Sequence, residues 1–289
     1  MHDAPRRPRI LFVTDLAYRA RGRRYCDEDI HLTARLREDF DVALCHPLDA
    51  APLMETGAFD TVVVRNSGPV IHYQAHWDDL RERAARTGTP FYNRLTGKAD
   101  MVGKQYLIDL TAAGRPVIPT VDDPRDADRL PAADTYVVKP KAGADSIGLE
   151  FVPRAALADL PPAPGGAGLL IQPRIDFTYE VSFYFVDDAF QYALYAPDPD
   201  RRWHLERYEA TEDDLAFARG FVEWNAIGHG IQRVDACRTR GSGALLLVEL
   251  EDLNPYLSLD LLDERTREAF VTALKASLHR SIAARDAPA

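Results

Sequence analysis

Short apolar runs alternate with amphipathic stretches over the first third of the chain. Arg9 to Thr14 (RILFVT), Asp41 to Cys45 and Thr61 to Arg65 (TVVVR) are predicted strands, and Glu28 to Asp39 carries helical spacing between the first two. This βαβ alternation implies a parallel sheet with helices on both faces, whose ligands bind beyond the carboxyl ends of the strands. Thr14 to Tyr18 and Arg65 to Gly68 are therefore the loops to watch. A helix over His76 to Arg86 and a strand over Pro90 to Asn93 complete this part. A further helix, Ala99 to Ala112, ends at Gly114, a suitable C-cap, ahead of the loop Arg115 to Thr120.

The pattern then turns strand-rich. Thr135 to Lys139, Gly148 to Val152, Leu169 to Gln172 and Tyr179 to Val186 read as a smaller mixed or antiparallel sheet, with Pro161 to Gly168 a Pro/Gly-dense loop. A third lobe follows: a strand over Phe190 to Ala196, a helix over Glu212 to Ile227, strands over Gly230 to Cys237 and Ala244 to Glu251, and a closing helix over Glu264 to Ala283. The fold class is α/β (α+β), and 289 residues suffice for about two domains or more at ~100–200 residues each.

Composition narrows the function. A formal net charge of −10 argues against a general nucleic-acid or anionic-membrane binder. No apolar run reaches the ~18 residues of a membrane span, and the first nine residues lack the apolar core of a signal peptide. Cys26, Cys45 and Cys237 are odd in number and lack metal-ligand spacing, so a reducing cytoplasm is the expected compartment. The 35 basic residues comprise 30 Arg and only 5 Lys, yet Lys98, Lys104, Lys139 and Lys141 fall within 44 residues. The run Arg19 to Arg24 is a solvated loop or a site for an acidic substrate. No Gly-x-Gly-x-x-Gly follows the first strand, which removes the main reason to expect a dinucleotide site.

Two segments carry candidate chemistry. Tyr-Val-Val-Lys139-Pro-Lys-Ala-Gly143-Ala-Asp-Ser146-Ile-Gly148 is a strand ending in lysine that runs into a glycine-containing loop. Glycines let backbone N–H groups approach phosphate, and the lysine adds a point charge. It is not a Walker A loop, and a structural lysine before a turn is the competing reading. In the second segment, side-chain period two puts Arg233 with Asp235 on one face of a strand and Glu249 with Glu251 on one face of the next. Unpaired acids are poor core residues, whereas oxygen donors on adjacent strands suit Mg²⁺. The alternative is the exposed face of an edge strand.

In order and type these pieces resemble the ATP-grasp superfamily, in particular the carboxylate–amine ligases such as D-alanine:D-alanine ligase, glutathione synthetase and the RimK-like enzymes. Motif-level similarity spans about Asn93 to Leu259. The resemblance implies a Rossmann-like domain over 1–95, a small central ATP-grasp subdomain over 96–174 and a C-terminal subdomain over 175–289 holding the metal and phosphoryl-transfer site. Lys104, followed by Gly114-Arg-Pro-Val-Ile-Pro119-Thr120, is similar to the first ATP lysine and its loop. Lys139-Pro is similar to the second ATP lysine, and Gly143 and Ser146-Ile-Gly148 to the loop that covers the phosphates. Gln172-Pro173-Arg174-Ile175 resembles the adenine-receiving hinge, and Glu180 stands near the ribose-binding acid. Arg233 matches the arginine that steadies the transferred phosphoryl group, and Asp235, Glu249 and Glu251 the Mg²⁺ ligands.

The sequence departs from the family in its last motif. The usual Glu-x-Asn and later Pro-Gly become Glu249-Leu-Glu251-Asp-Leu-Asn254-Pro, so Glu251 or, in a shifted register, Asn254 replaces the asparagine; the two-residue spacing favours Glu251. Asp145 in the phosphate loop adds negative charge unless it points outward. What the resemblance implies is an ADP-forming ligase that joins a carboxylate to an amine, amino acids or short peptides, through an acyl phosphate. Its cofactors would be ATP and Mg²⁺, and a homodimer is the oligomeric state it suggests. A small-molecule kinase and a non-catalytic ATP-binding regulator are the alternatives. Candidate substrate contacts are Tyr18, Arg65, Asn66, Arg201, Arg202 and Ser258.

Overall fold

A computed structural model describes residues 6–19, 25–65, 72–141, 148–160, 168–198, 201 and 204–286. Asn66, Gly143, Asp145, Ser146 and Arg202 lie outside the described residues. The first sheet is parallel, in the order β2 (Asp41–Cys45), β1 (Arg9–Val13), β3 (Thr61–Val64), β4 (Phe91–Tyr92). One face packs on α1 (Tyr25–Leu36), the other on α2 (Ala50–Glu55) and α3 (Gln74–Thr87). The near-continuous apolar runs of β1 and β3 follow from burial on both faces. α1 begins three residues earlier than its apolar spacing indicates, with Asp27 and Glu28 in its first turn, where carboxylates suit the helix dipole.

A small antiparallel sheet holds β5 (Thr135–Pro140) between β6 (Glu150–Pro153) and β7 (Leu169–Pro173). The third sheet is antiparallel, in the order β10 (Glu206–Arg207), β9 (Ala189–Ala196), β8 (Phe177–Val186), β11 (Ile231–Thr239), β12 (Leu245–Glu251). Tyr179 to Val186, expected in the small sheet, thus belongs to the large one. Its turn with β9 and its register with β11 place Phe183 and Phe185 in the core of that sheet. α4 (Tyr106–Ala112) and α5 (Glu212–Asn225) cover this face through Leu107, Leu110, Phe221 and Val222.

The expected helix over Ala99 to Ala112 is in fact two pieces. A 3₁₀ turn spans Asp100–Val102, and Gly103, at φ 91°, breaks the chain before α4 starts at Tyr106. Glycine tolerates that backbone without a Cβ penalty. The break directs Asp100 and Lys104 toward β12.

The second face of the large sheet is divided along its length. Tyr184, Val186, Tyr192 and Ile231 pack on Phe270 and Leu274 of α6 (Glu264–Asp286) and, through them, on Phe12, Leu32 and Leu36. Beyond that apolar cover the same face turns polar at Ser182, Arg233 and Asp235. Asn93, at φ 59°, fastens the first sheet here: its Nδ2 donates to the carbonyls of Ile231 (2.7 Å) and Asp252 (2.6 Å), and its Oδ1 accepts from Ile231 N–H (2.8 Å).

Candidate active site

Antiparallel pairing brings Arg233 opposite Glu251 and Asp235 opposite Glu249. Ala236 then pairs with Leu247, so Val248 is an extra residue, a β-bulge. The bulge resets the alternation. Leu245, Leu247 and Leu250 all reach the core, while Glu249 and Glu251 turn to the opposite face; without it Leu247 and Glu249 would point the same way. β12 is an edge strand, as the exposed-face alternative supposed, but its acids are largely covered: the Glu249 and Glu251 side chains are 20% and 22% exposed.

Arg233 is the hub of this face. Its Nε donates to Asp235 Oδ1 (2.9 Å), its Nη2 to Asp235 Oδ2 (2.8 Å) and Glu251 Oε1 (2.6 Å), and its Nη1 to the Tyr256 carbonyl (2.9 Å). Ser182 Oγ donates to Asp235 Oδ1 (2.6 Å) from β8. A planar fork with donors on both sides can hold two carboxylates in one geometry, which an ammonium cannot.

Lys104 approaches from the other side, its Nζ bonded to Glu249 Oε1 and 3.7 Å from Asp100 Oδ2. Asp100, Glu249 and Glu251 each place one carboxylate oxygen so that all three lie within 4.8 Å of one another. Asp100 is not among the residues that the sequence singles out; its spacing of four residues from Lys104 is the one available signal. Tyr106 Oη secures this corner, donating to Asp100 Oδ1 (3.1 Å) and accepting from Leu250 N–H (2.8 Å).

The carboxyls respond to this crowding. Burial, against the pull of Arg233 and with Glu249 and Asp235 adding to it, pushes Glu251 up to about 8. Burial and the Glu249 charge raise Asp100 well above the ordinary range. For Glu249 burial acts upward too, but the charge of Lys104, a hydrogen bond from Asp100 and the charge of Lys139 hold it well below. Acids thus outnumber the cations facing them, and every donor is oxygen, the set that a hard divalent cation such as Mg²⁺ takes.

Lys139 sits on β5, half-buried, near enough to Lys104, Glu249, Asp100 and Glu180 for their charges to act on it. Burial, with the Lys104 charge, lowers it to about 8, the three acids opposing. The ammonium form prevails below that value. If Lys139 holds a nucleotide phosphate, as the resemblance implies, affinity for ATP weakens as pH rises through about 8, and Lys139→Arg weakens it at every pH. Titrating nucleotide affinity between about pH 6.5 and 9.5 checks this, and a flat profile would sink the assignment.

The remaining sequence candidates are distributed as follows. Gln172 is buried, its Nε2 donating to Thr120 Oγ1 (2.8 Å). Pro173 is buried on β7, Ile175 half-buried, and Arg174 exposed with its guanidinium 5.2 Å from the Phe151 ring centroid. Residues 116–121 join the two antiparallel sheets: Ile118 N–H donates to Leu247 (3.0 Å) and Val121 N–H to Ile171 (3.0 Å). Gly148 has φ +73°, and a Cβ there would meet Pro140 Cγ at 2.9 Å, so both backbone and space require glycine. Asn254 lies half-buried in the loop after β12.

Asp252 is fully buried and structural: it accepts the N–H groups of Ala99 (3.1 Å) and Met101 (2.8 Å). Arg65 also faces inward, 4% exposed, paired with Glu28 and Asp29. Ser258 is buried at φ 53°, Tyr18 contacts the rings of Tyr25 and His72, and Arg201 is exposed with Nε 2.9 Å from Asp198. Lys141 binds Asp122 (2.7 Å) and Gln105 (2.8 Å), and Lys98 lies on Trp224, so these two lysines of the cluster are engaged elsewhere.

No protein-family model and no curated protein matches the sequence. Solved structures do share the architecture. D-cycloserine synthetase DcsG superposes with a TM-score of 0.71 at 23% identity, over 93% of this chain and 99% of that one. The ATP-grasp ligase PsnB, solved with Mg, ADP and a phosphomimetic variant of its minimal precursor, gives 0.60 at 16% identity, over 96% and 99%. D-alanine–D-alanine ligase from Bacillus anthracis, solved with ATP, gives 0.62 at 14% identity, over 96% of each chain. At these identities the likeness is one of fold. Among the described residues no helix is long and apolar enough to cross a membrane.

Proposed function

We propose that this chain, which has the fold of the ATP-grasp ligases, is an ADP-forming carboxylate–amine ligase acting on amino acids or short peptides. The observation that carries the reading is the facing of two charge sets. Lys104 and Lys139 lie on one side, and Arg233 with Asp235, Glu249 and Glu251 on the other. ATP supplies the phosphoryl group, and Mg²⁺ when bound neutralises charge between its phosphates.

In this reading a substrate carboxylate oxygen attacks the γ-phosphorus and ADP departs. The amine nitrogen then attacks the acyl carbon, phosphate leaves with the C–O bonding pair, and the amine proton passes to solvent. A carboxylate is a poor electrophile and an ammonium no nucleophile, so activation is what makes the bond accessible. Lys104 and Lys139 would bind the phosphates. Glu249, Glu251, Asp235 and Asn254, with Asp100 beside Glu249 and Glu251, would hold Mg²⁺, Glu249 exchanging its Lys104 partner for the cation. Arg233 would brace the transferred phosphoryl group. Gly143, Ser146 and Gly148 would cover the phosphates, Gln172 to Ile175 would receive adenine, and Glu180 the ribose. The units 1–95, 96–174 and 175–289 would contribute the acceptor side, the nucleotide lobe and the phosphoryl-transfer lobe.

A screen of amino acids and small dicarboxylates, alone and in pairs, read by ADP release with Mg²⁺, tests the reading. Release should require both a carboxylate and an amine and should be lost in Asp235→Ala. Formation of AMP and pyrophosphate would exclude it. A phosphorylated product that persists would make the chain a kinase, and an Asp235→Ala chain of unchanged biological activity would make it a regulator.

A further inference from the structure

The acidic strand β12 leads into residues 255–259, and this short loop touches Arg233 directly, because the Tyr256 carbonyl accepts from its Nη1 (2.9 Å). The first sheet and the first turn of α1 hold the loop at four of its five residues. Arg65 Nη1 donates to the Pro255 carbonyl (2.8 Å). The Tyr25 ring stacks on that of Tyr256 with centroids 4.2 Å apart. Glu28 accepts from Leu257 N–H at Oε1 (3.0 Å) and from Leu259 N–H at Oε2 (3.3 Å). Ser258, in the left-handed region at φ 53°, turns the backbone so that the amides on either side of it reach one carboxylate.

The anchor is ionic and dry. The Arg65, Glu28 and Asp29 side chains are 4%, 4% and 2% exposed, with Arg65 Nη2 2.8 Å from Glu28 Oε1 and Nε 3.2 Å from Asp29 Oδ1. Thr14 Oγ1 donates to the other Asp29 oxygen (2.5 Å). Tying a loop to a sheet does not require this, since apolar contacts do so without desolvating three charges. What charge-assisted bonds add is direction: they place backbone atoms to within a bond length. That placement brings the Tyr256 carbonyl within 2.9 Å of Arg233 Nη1, while Asp235 and Glu251 take the N–H groups of Nε and Nη2.

We propose that Glu28 and Arg65 are positioning residues for phosphoryl transfer, acting through loop 255–259 on the Arg233 guanidinium. The inference rests on the ligase reading of Arg233, although its structural half does not. Glu28→Gln keeps the volume and removes the charge that grips Leu257 and Leu259. Amide exchange at those two residues should accelerate at least about tenfold, and the Arg233 Nε–H resonance should shift in the ligand-free protein. Turnover should fall about tenfold with the KM for ATP within about twofold, as expected for a misplaced group rather than a lost ligand.

In an Arg233→Lys background the same substitution should cost less than about twofold, because two residues acting through one contact are not additive. Equal losses in both backgrounds, or an unmoved Arg233 resonance beside a loosened loop, would overturn the proposal. If the wild-type chain forms no ADP, the ligase reading fails, and the resonance and exchange data alone decide whether the anchor sets the guanidinium. Should Glu28→Gln fail to fold, Arg65→Lys, which keeps the charge without the fork, is read by the same four measurements.

Discussion

Arg233→Lys is expected to reduce ADP formation by about 10²–10³-fold, the scale of losing one preorganised donor to a transition-state oxyanion, with ATP affinity changed less than about threefold. The reason is geometric. In the present arrangement one guanidinium meets Asp235, Glu251 and the Tyr256 carbonyl at 2.6–2.9 Å through all three of its nitrogens. An ammonium can replace the charge but cannot hold that plane. The nucleotide contacts proposed for Lys104 and Lys139 remain, so binding should persist while the phosphoryl step slows. Single-turnover ADP release beside equilibrium nucleotide binding separates the two. An equal fall in both would mean that Arg233 binds the ground state and that the assignment of its role is wrong.

Arg65→Met should produce the largest loss of stability among these substitutions. Removing one partner of a buried ion pair costs about 3–5 kcal/mol, because the remaining charge is left in a dry site. Here two carboxylates, Glu28 and Asp29, lose their cation at 4% and 2% exposure. At ~2–4 °C per kcal/mol for a chain of this size, the thermal midpoint should drop by about 6–20 °C.

The loss should depend on pH. Burial raises Glu28 to about 7 even with Arg65 present, from an ordinary value of 4.5, the Arg65 charge opposing. The folded state therefore binds a proton that the unfolded state releases between those values, and stability falls as pH rises through that window. Without Arg65 the Glu28 carboxyl rises further and is neutral at pH ~5.5, where the penalty should be smaller than at pH ~8. Calorimetry at both values checks this. A drop that is the same at the two would show that the Glu28 charge contributes nothing.

Lys139, Arg233, Asp235, Glu249 and Glu251 are legible in the sequence because strand chemistry is local. A side-chain period of two and a strand that ends in lysine are properties of neighbouring residues. Other positions carry no such signal. Asp100 belongs with Glu249 and Glu251 only because Gly103 interrupts what reads as one helix. Arg65 sits at the end of a strand, where ligand contacts are common in parallel sheets, and only packing shows it turned inward on Glu28 and Asp29.

The apolar alternation and the spacing of charged residues thus determined, by themselves, most of the strand and helix segments, the α/β class and most of the charged cluster. Those features depend on periodicity and on the cost of burying unpaired charge. Tertiary structure alone decided which sheet Tyr179 to Val186 joins, which way Glu249 points past the bulge at Val248, and that Asp252 serves as a backbone acceptor. Each of these turns on a partner far along the chain or on one extra residue in a strand. A one-residue change of phase carries a side chain to the opposite face of the sheet, and no local pattern records it.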